Sequence, residues 1–101
     1  MAEAIISGIK KTNLVYNITV SEPVKSRRTH LLETYQVNVE KNNVIAIQKA
    51  DLIILSVKPQ SFKELSSEIC DMLSDNQTIL SIMAGINLHH ISMNLNHHKI
   101  V

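Results

Sequence analysis

The residues able to do chemistry begin with Lys58-Pro59-Gln60, which breaks an apolar run from Leu52 to Val57. That run has strand length and lacks the polar alternation of a half-wet strand, so it reads as an interior parallel strand covered on both faces. Pro59 suits the first position of a helix, where its missing N–H would be unpaired anyway. In open α/β sheets a turn of this kind lies at the carboxyl ends of the strands, where ligands bind. A second group is basic. Lys25, Arg27, Arg28 and His30 share the first turns of the helix expected after Ser21-Glu22-Pro23. Cations at a helix start oppose the macrodipole, so another interaction must favour them there.

Other chemistries find less support. Of the 5 histidines, His89-His90 and His97-His98 stand out. On one helix His90 and His97 would lie about 10.5 Å apart along the axis, too far to share an ion in the i, i+4 manner, so no metal is expected and the histidines read as surface residues. The single cysteine, Cys70, falls inside the helix expected from Phe62 to Leu73 and reads as a small packing residue. There is no G-x-S-x-G elbow and no G-x-x-x-x-G-K-[ST] loop.

The elements that position these residues alternate in type. A chain of 101 residues, 45% hydrophobic and 19% charged, has the apolar material for one small core. Ala2, Ile5, Ile6 and Ile9 give an opening helix. Leu14 to Val20 is rich in β-formers, and the helix after Pro23 carries Val24, Leu31, Leu32 and Tyr35 on one side. Val37 to Val39 reads as a short strand, and Asn42 to Lys49 as a short helix. After the central strand, Phe62, Leu65, Ile69, Met72 and Leu73 form one helical stripe. Gln77 to Met83 is a second apolar strand ended by Ala84-Gly85, and Asn87 is a good N-cap for a helix with Leu88, Ile91 and Leu95. Lys99-Ile100-Val101 looks like a strand beginning. This order predicts βαβ units and a parallel sheet.

Three stretches together resemble the pyrroline-5-carboxylate reductases. Met1-Ala2-Glu3-Ala4-Ile5-Ile6-Ser7-Gly8 is similar to the end of that family's G-x-G-N-M-A-E-A-I-x-x-G loop. Ala50 through Gln60 is similar to its A-D-[VI]-[IV]-[FI]-L-[AS]-V-K-P-Q, and Ser81-Ile82-Met83-Ala84-Gly85-Ile86 to its S-I-A-A-G-[IV]. The resemblance implies an α/β fold: a Rossmann-like parallel sheet with flanking helices, in which the first strand and the Gly-rich loop are missing. It implies an oxidoreductase that transfers hydride from NADPH or NADH to the C=N carbon of 1-pyrroline-5-carboxylate in proline biosynthesis.

On the same resemblance, the cofactor-binding residues are Met1, Ala2, Ser21, Glu22, Arg27, Arg28, Val57, Lys58, Pro59, Ala84 and Gly85, with no catalytic side chain in this stretch. Ala2 takes the sixth position of G-x-G-x-x-[GA], where a small residue lets helix and strand pack closely. Glu22, about 20 residues on, follows Ser21 at the end of the second strand; an acid there bonds a ribose 2′-OH or repels a 2′-phosphate. Lys25, Arg27 and Arg28 argue for a 2′-phosphate instead, or form a solvated helix face. The cofactor is therefore NADP or NAD, with a lean to NADP from the family. Val57, Lys58 and Pro59 border it, and Met83, Ala84 and Gly85 lie nearer the nicotinamide, where Met83, longer than the family's Ala, narrows the pocket.

The expected domain is partial: residues 1–101 of an NAD(P)-binding Rossmann domain, ending before the family's M-P-N-T-P loop and its helical dimerisation domain. Activity of this stretch alone is not expected, and an imino-acid substrate belongs to a longer form. In the strand order 3-2-1-4-5-6, loss of strand 1 exposes facing edges on strands 2 and 4. Leaving several backbone groups unpaired at about 1–3 kcal/mol each costs on the order of 10 kcal/mol, comparable with a domain's whole stability. The chain is thus expected to be unstable, to pair those edges with each other, or to self-associate through them. A non-catalytic nucleotide-binding or interaction remnant is the alternative, as is a β-hydroxyacid or prephenate dehydrogenase type of reductase. With 10 basic and 9 acidic residues and few aromatics, no nucleic-acid partner is expected. Lacking any long apolar span or basic leader, the chain reads as cytoplasmic, with no membrane partner.

Overall fold

The computed structural model describes residues 2–12, 17–83, 85–97 and 99–101. The elements run α1 (Ala2–Lys10), β1 (Thr19–Ser21), α2 (Lys25–Tyr35), β2 (Asn38–Glu40), α3 (Asn43–Ile47), β3 (Leu52–Leu55), α4 (Phe62–Ile69), β4 (Thr78–Ser81) and α5 (Leu88–Leu95), with a 3-10 turn at Pro59–Ser61. Strands and helices alternate and both strand pairs are parallel, as expected of an α/β chain. The expected strand residues Leu14 to Tyr16, and Met1, Ala84 and His98, lie outside the described residues.

The chain divides into two compact units, residues 1–46 and 47–101. In the first, β1 pairs with β2, Val20 opposite Val39. Its core is Ile6, Leu31 and Val37, with Ile18, Val20, Tyr35 and Val39 packed around them. Of the stripe expected on α2, Leu31 is buried, whereas Val24 and Leu32 are each 50% exposed. The N-cap Val24 is extended and offers no side-chain acceptor to the first turn, and the helix ends at Gln36 in the left-handed region.

In the second unit β3 pairs with β4, Leu55 opposite Ser81. The beginning strand at the end of the chain joins them: Val101 N–H donates to Ile79 O at 2.8 Å and Ile79 N–H to Lys99 O at 2.8 Å. The core gathers Ile53, Leu55, Phe62, Ile69, Ile79, Ile91 and Leu95, together with Ile47 and Met83. β3 is not covered on both faces as its composition suggests. Ile53 and Leu55 are buried, but Leu52 is 51% exposed and Ile54 half-buried. Among the described residues each sheet has two strands.

The helix expected to run from Phe62 to Leu73 stops at Ile69. Cys70 turns extended, and Asp71 takes φ +66°, a conformation short polar residues tolerate. Asn96 Nδ2 then donates to Asp71 Oδ1 at 2.8 Å, tying the end of α4 to the end of α5. Cys70 is therefore a helix terminus and not mid-helix. Partial burial, and then the negative charge of Asp71, push its thiol pKa up, which suits an inert packing residue. Asn87 caps α5 as expected, its Oδ1 accepting from His90 N–H at 2.8 Å.

One buried side chain holds the amino ends of β3 and β4. Gln77 Nε2 donates to Ile47 O and Ala50 O, both at 2.7 Å, and its Oε1 accepts from Ser74 N–H at 2.9 Å. Thr78 N–H then opens the parallel ladder on Asp51 O at 3.0 Å. Replacing Gln77 with Leu keeps volume but removes every one of those side-chain bonds. Urea unfolding is expected to show a loss of about 2–4 kcal/mol for Gln77→Leu, against less than about 0.5 kcal/mol for exposed Gln48→Ala. Equal midpoints for the two variants would show that the amide does not hold the strands.

Candidate functional site

Each unit carries part of the expected site at the carboxyl end of its strands. In the second unit the register of β3 on β4 brings the segments after Leu55 and Ser81 out side by side, and Ile82 N–H continues the ladder onto Leu55 O at 3.3 Å. After β3 come Ser56, Val57, Lys58 and Pro59. Lys58 is extended and exposed, and Pro59 takes the first position of the 3-10 turn that leads into α4. Ser61 N–H closes that turn on Lys58 O at 2.9 Å. After β4, Met83 N–H is held by Ser81 Oγ at 3.2 Å, and Gly85 has φ +81° with open space where a Cβ would stand. A side chain at Gly85 would thus be resisted by backbone conformation and not by crowding. Met83 does not narrow a pocket as expected, because it is buried in the core with Ile53 and Ile79.

The composition of this edge missed one residue. Ser56 Oγ is shut off from solvent and has no hydrogen-bond partner among the described residues. A buried hydroxyl without a partner is uncommon and calls for a reason. Its sequence signal was a polar residue set within Leu55-Ser56-Val57 at the point where the strand ends. The exposed ammonium of Lys58 and the open backbone at Gly85 fit a polar ligand laid across the ends of β3 and β4, which would reach the Ser56 hydroxyl only by displacing its cover.

In the first unit Ser21 ends β1, and its Oγ donates to Asn43 Oδ1 at the start of α3. Glu22 N–H extends the β1 pairing onto Glu40 O at 2.9 Å, and Glu22 Oε2 accepts from Val24 N–H at 3.2 Å. The basic residues, grouped by sequence, are separated by their partners. Arg28 Nη1 donates to Glu22 O at 2.9 Å and Pro23 O at 2.8 Å, while Arg27 Nη2 meets Glu3 Oε1 at 2.9 Å. His30 Nε2 lies 3.2 Å from the same carboxylate oxygen, and Tyr35 OH donates to Glu3 Oε2 at 3.4 Å. Glu3 was read only as part of a motif, because a pair joining α1 to α2 leaves no local trace. Met1 and Ala84 lie outside the described residues, and Ala2 is described by its backbone alone.

The histidines differ from expectation in one respect. His97 is buried and its Nε2 donates to Gln77 O at 2.6 Å, so it is a structural donor and not a surface residue. Among the described residues no group of three or more metal-ligating side chains forms. None of the described helices is long and apolar enough to cross a membrane.

Tyr35 reports on the Glu3 cluster. Partial burial, followed by the charge and hydrogen bond of Glu3, raises its pKa above the ordinary 10.0. The folded chain therefore holds the phenolic proton more tightly than the unfolded chain. That contribution to stability is full below pH 10 and is lost as pH rises through the folded value. In a Tyr16→Phe background, a tyrosinate absorbance titration is expected to place Tyr35 above 10, and Glu3→Gln to move it back down. An unchanged titration in Glu3→Gln would show that Glu3 does not face the phenol.

The family described as NADP oxidoreductase, coenzyme F420-dependent, matches residues 1–85. A pyrroline-5-carboxylate reductase of Synechocystis is 33% identical over 103 residues, covering 100% of this chain and 38% of that relative. The solved pyrroline-5-carboxylate reductase of Coxiella burnetii superposes with a TM-score of 0.86 at 25% identity, over 93% of this chain and 36% of that one. The Plasmodium falciparum pyrroline carboxylate reductase, solved with NADP bound, gives a TM-score of 0.76 at 21% identity, over 92% of this chain and 33% of its own, a likeness of fold. The chain thus spans little more than a third of these relatives' length. A Rossmann-like α/β chain that matches along most of its length in this way belongs to the NADP oxidoreductase, coenzyme F420-dependent family, and its relatives there are pyrroline-5-carboxylate reductases.

Proposed function

We propose that this chain forms the dinucleotide-binding part of a cytoplasmic, NAD(P)H-dependent pyrroline-5-carboxylate reductase. The observation that carries the proposal is the pair of aligned carboxyl ends at β3 and β4, where the Ser56 hydroxyl, without a hydrogen-bond partner among the described residues, precedes Val57-Lys58-Pro59. Ligands in open α/β sheets lie at such ends. Val57, Lys58, Pro59, Ala84 and Gly85 would border the cofactor there, Ser21 and Glu22 would stand at the adenosine ribose, and Met1 and Ala2 would approach the pyrophosphate. Bound NAD(P)H supplies the hydride, and the residues of this chain bind and orient it. The chain spans little more than a third of its relatives' length, so the reduction of the imino acid is proposed for the reductase as a whole and only dinucleotide binding for residues 1–101.

Titration of NADH and NADPH fluorescence into the purified chain, with far-ultraviolet circular dichroism on the same sample, tests this reading. Saturable binding at micromolar concentration to a folded chain is the expected result. Ser56→Ala is expected to leave stability within about 1 kcal/mol, since no hydrogen bond is lost, while weakening the dinucleotide at least about threefold. A folded chain that binds neither dinucleotide would favour the interaction remnant. Equal affinity in Ser56→Ala would remove the hydroxyl from the site.

A further inference from the structure

Resting on the dinucleotide reading, we propose that Met83 is a positioning residue: its side chain, seated in the core, fixes the backbone of the loop after β4 that meets the nicotinamide half of the cofactor. The ladder loosens where β4 ends. Ser81 N–H is still held by Val101 O at 3.1 Å, and Ile82 N–H reaches Leu55 O at 3.3 Å. Beyond them Gly85 takes φ +81°, with nothing within 4 Å of where a Cβ would stand, so no neighbour packs on that side of the chain. Its path is therefore set by the residues before and after it. Met83 is 8% exposed and belongs to the cluster that includes Ile53, Ile79 and Leu95, and Ile86 packs against the same cluster. Ser81 Oγ holds Met83 from behind, accepting from its N–H at 3.2 Å. The loop is thus plugged into the core on both sides of Gly85, and Asn87 caps α5 directly after it.

Methionine suits such a plug. It is unbranched and polarizable, with three rotatable bonds, and so fills an irregular gap at a strand end. An alanine methyl at this position would leave the gap open and the loop joined to the core through Ile86 alone. The sequence sets a long side chain beside the expected nicotinamide position, where it would crowd the ligand. The structure turns it inward, and its effect passes to the backbone instead. A loop ordered on folding needs no ordering on binding, so the entropic cost falls on the stability of the second unit and not on affinity. On the dinucleotide reading the adenosine half is met by other residues, Ser21 and Glu22. Loosening the loop after β4 therefore acts on the nicotinamide half alone.

Calorimetric titrations of the full chain with matched ligands separate positioning from a merely structural role. The pairs are NADH with ADP-ribose and NADPH with 2′-phospho-ADP-ribose, the second member of each lacking only the nicotinamide. Met83→Ala is expected to weaken the dinucleotide at least about fivefold and its nicotinamide-free partner less than about twofold. Met83→Leu keeps the volume and is expected to return every affinity to within about twofold of native. Ile91→Val thins the same core from α5 and is expected to leave the ratio within each pair alone. Ser81→Ala frees the Met83 N–H with the core intact, and weakens the dinucleotides selectively by at least about threefold even if Met83→Ala does not fold. Equal weakening of both members of a pair in Met83→Ala would overturn the proposal. So would unchanged dinucleotide affinity in Ser81→Ala, or a loss in Met83→Leu as large as in Met83→Ala. Native affinities equal within each pair would overturn it while leaving dinucleotide binding in place. A native chain that binds neither dinucleotide would overturn that reading and this inference with it.

Discussion

The second unit depends on the hydrogen bonds of the Gln77 side chain. Parallel strands joined through a helix cannot set their register by a tight turn, and a slip by one residue would send every core side chain of a strand to the opposite face. Gln77 fixes that register before the ladder starts. Its amide reaches back to carbonyls at Ile47 and Ala50, its oxygen holds the turn at Ser74, and its own carbonyl receives the buried His97. With Asp51 and Thr78 bonded next, Ile53 and Ile79 enter the same core and Leu55 and Ser81 finish level. The alignment of the carboxyl ends, and so the shape of the candidate site, is decided at the opposite end of the strands. Burial of the amide adds to the constraint, because its own polar atoms have no water to fall back on.

What the sequence made legible was local. The apolar run of β3, Pro59 at a first helical position and Asn87 as a cap each depend on a few consecutive residues, and each stands where expected. The end of α4 was misread because Met72 and Leu73 continue the helical stripe, while a left-handed Asp71 and its bond to Asn96 overrule it. The site was legible in the same uneven way. Lys58, Pro59 and Gly85 are placed by turns that their own residue types announce. Ser56, Glu3 and the burial of His97 depend on partners, or on the lack of one, far away in the chain. No periodicity carries that information.

The basic start of α2 shows why composition alone misleads about charge. Val24 provides no side-chain acceptor for the first turn, and the cations nearby are unfavourable to the helix dipole. Arg28 resolves part of this by reaching backward out of the helix, where its guanidinium satisfies two loop carbonyls. Arg27 resolves the rest by pairing with α1. Both residues are at most partly buried, and an exposed pair such as Arg27 with Glu3, 53% and 33% exposed, adds little stability by itself. Its effect is on orientation: it decides which way a guanidinium faces.

Orientation matters more in the first unit because its core is slight. Ile6, Leu31 and Val37 are its only buried apolar side chains among the described residues, and none is fully enclosed, whereas the second unit assembles a larger cluster around Phe62 and Ile79. A short parallel pair with so small a core has little burial to set against the entropy of ordering its loops. A ligand that binds the folded form alone supplies the missing term by mass action, about 2.7 kcal/mol at a hundred times its dissociation constant. The end of β1, with its steered acid and braced loop, is where such a ligand would act on the weaker unit. Residues there that met such a ligand would also be those through which it stabilises the unit, so that affinity and local order would rise together.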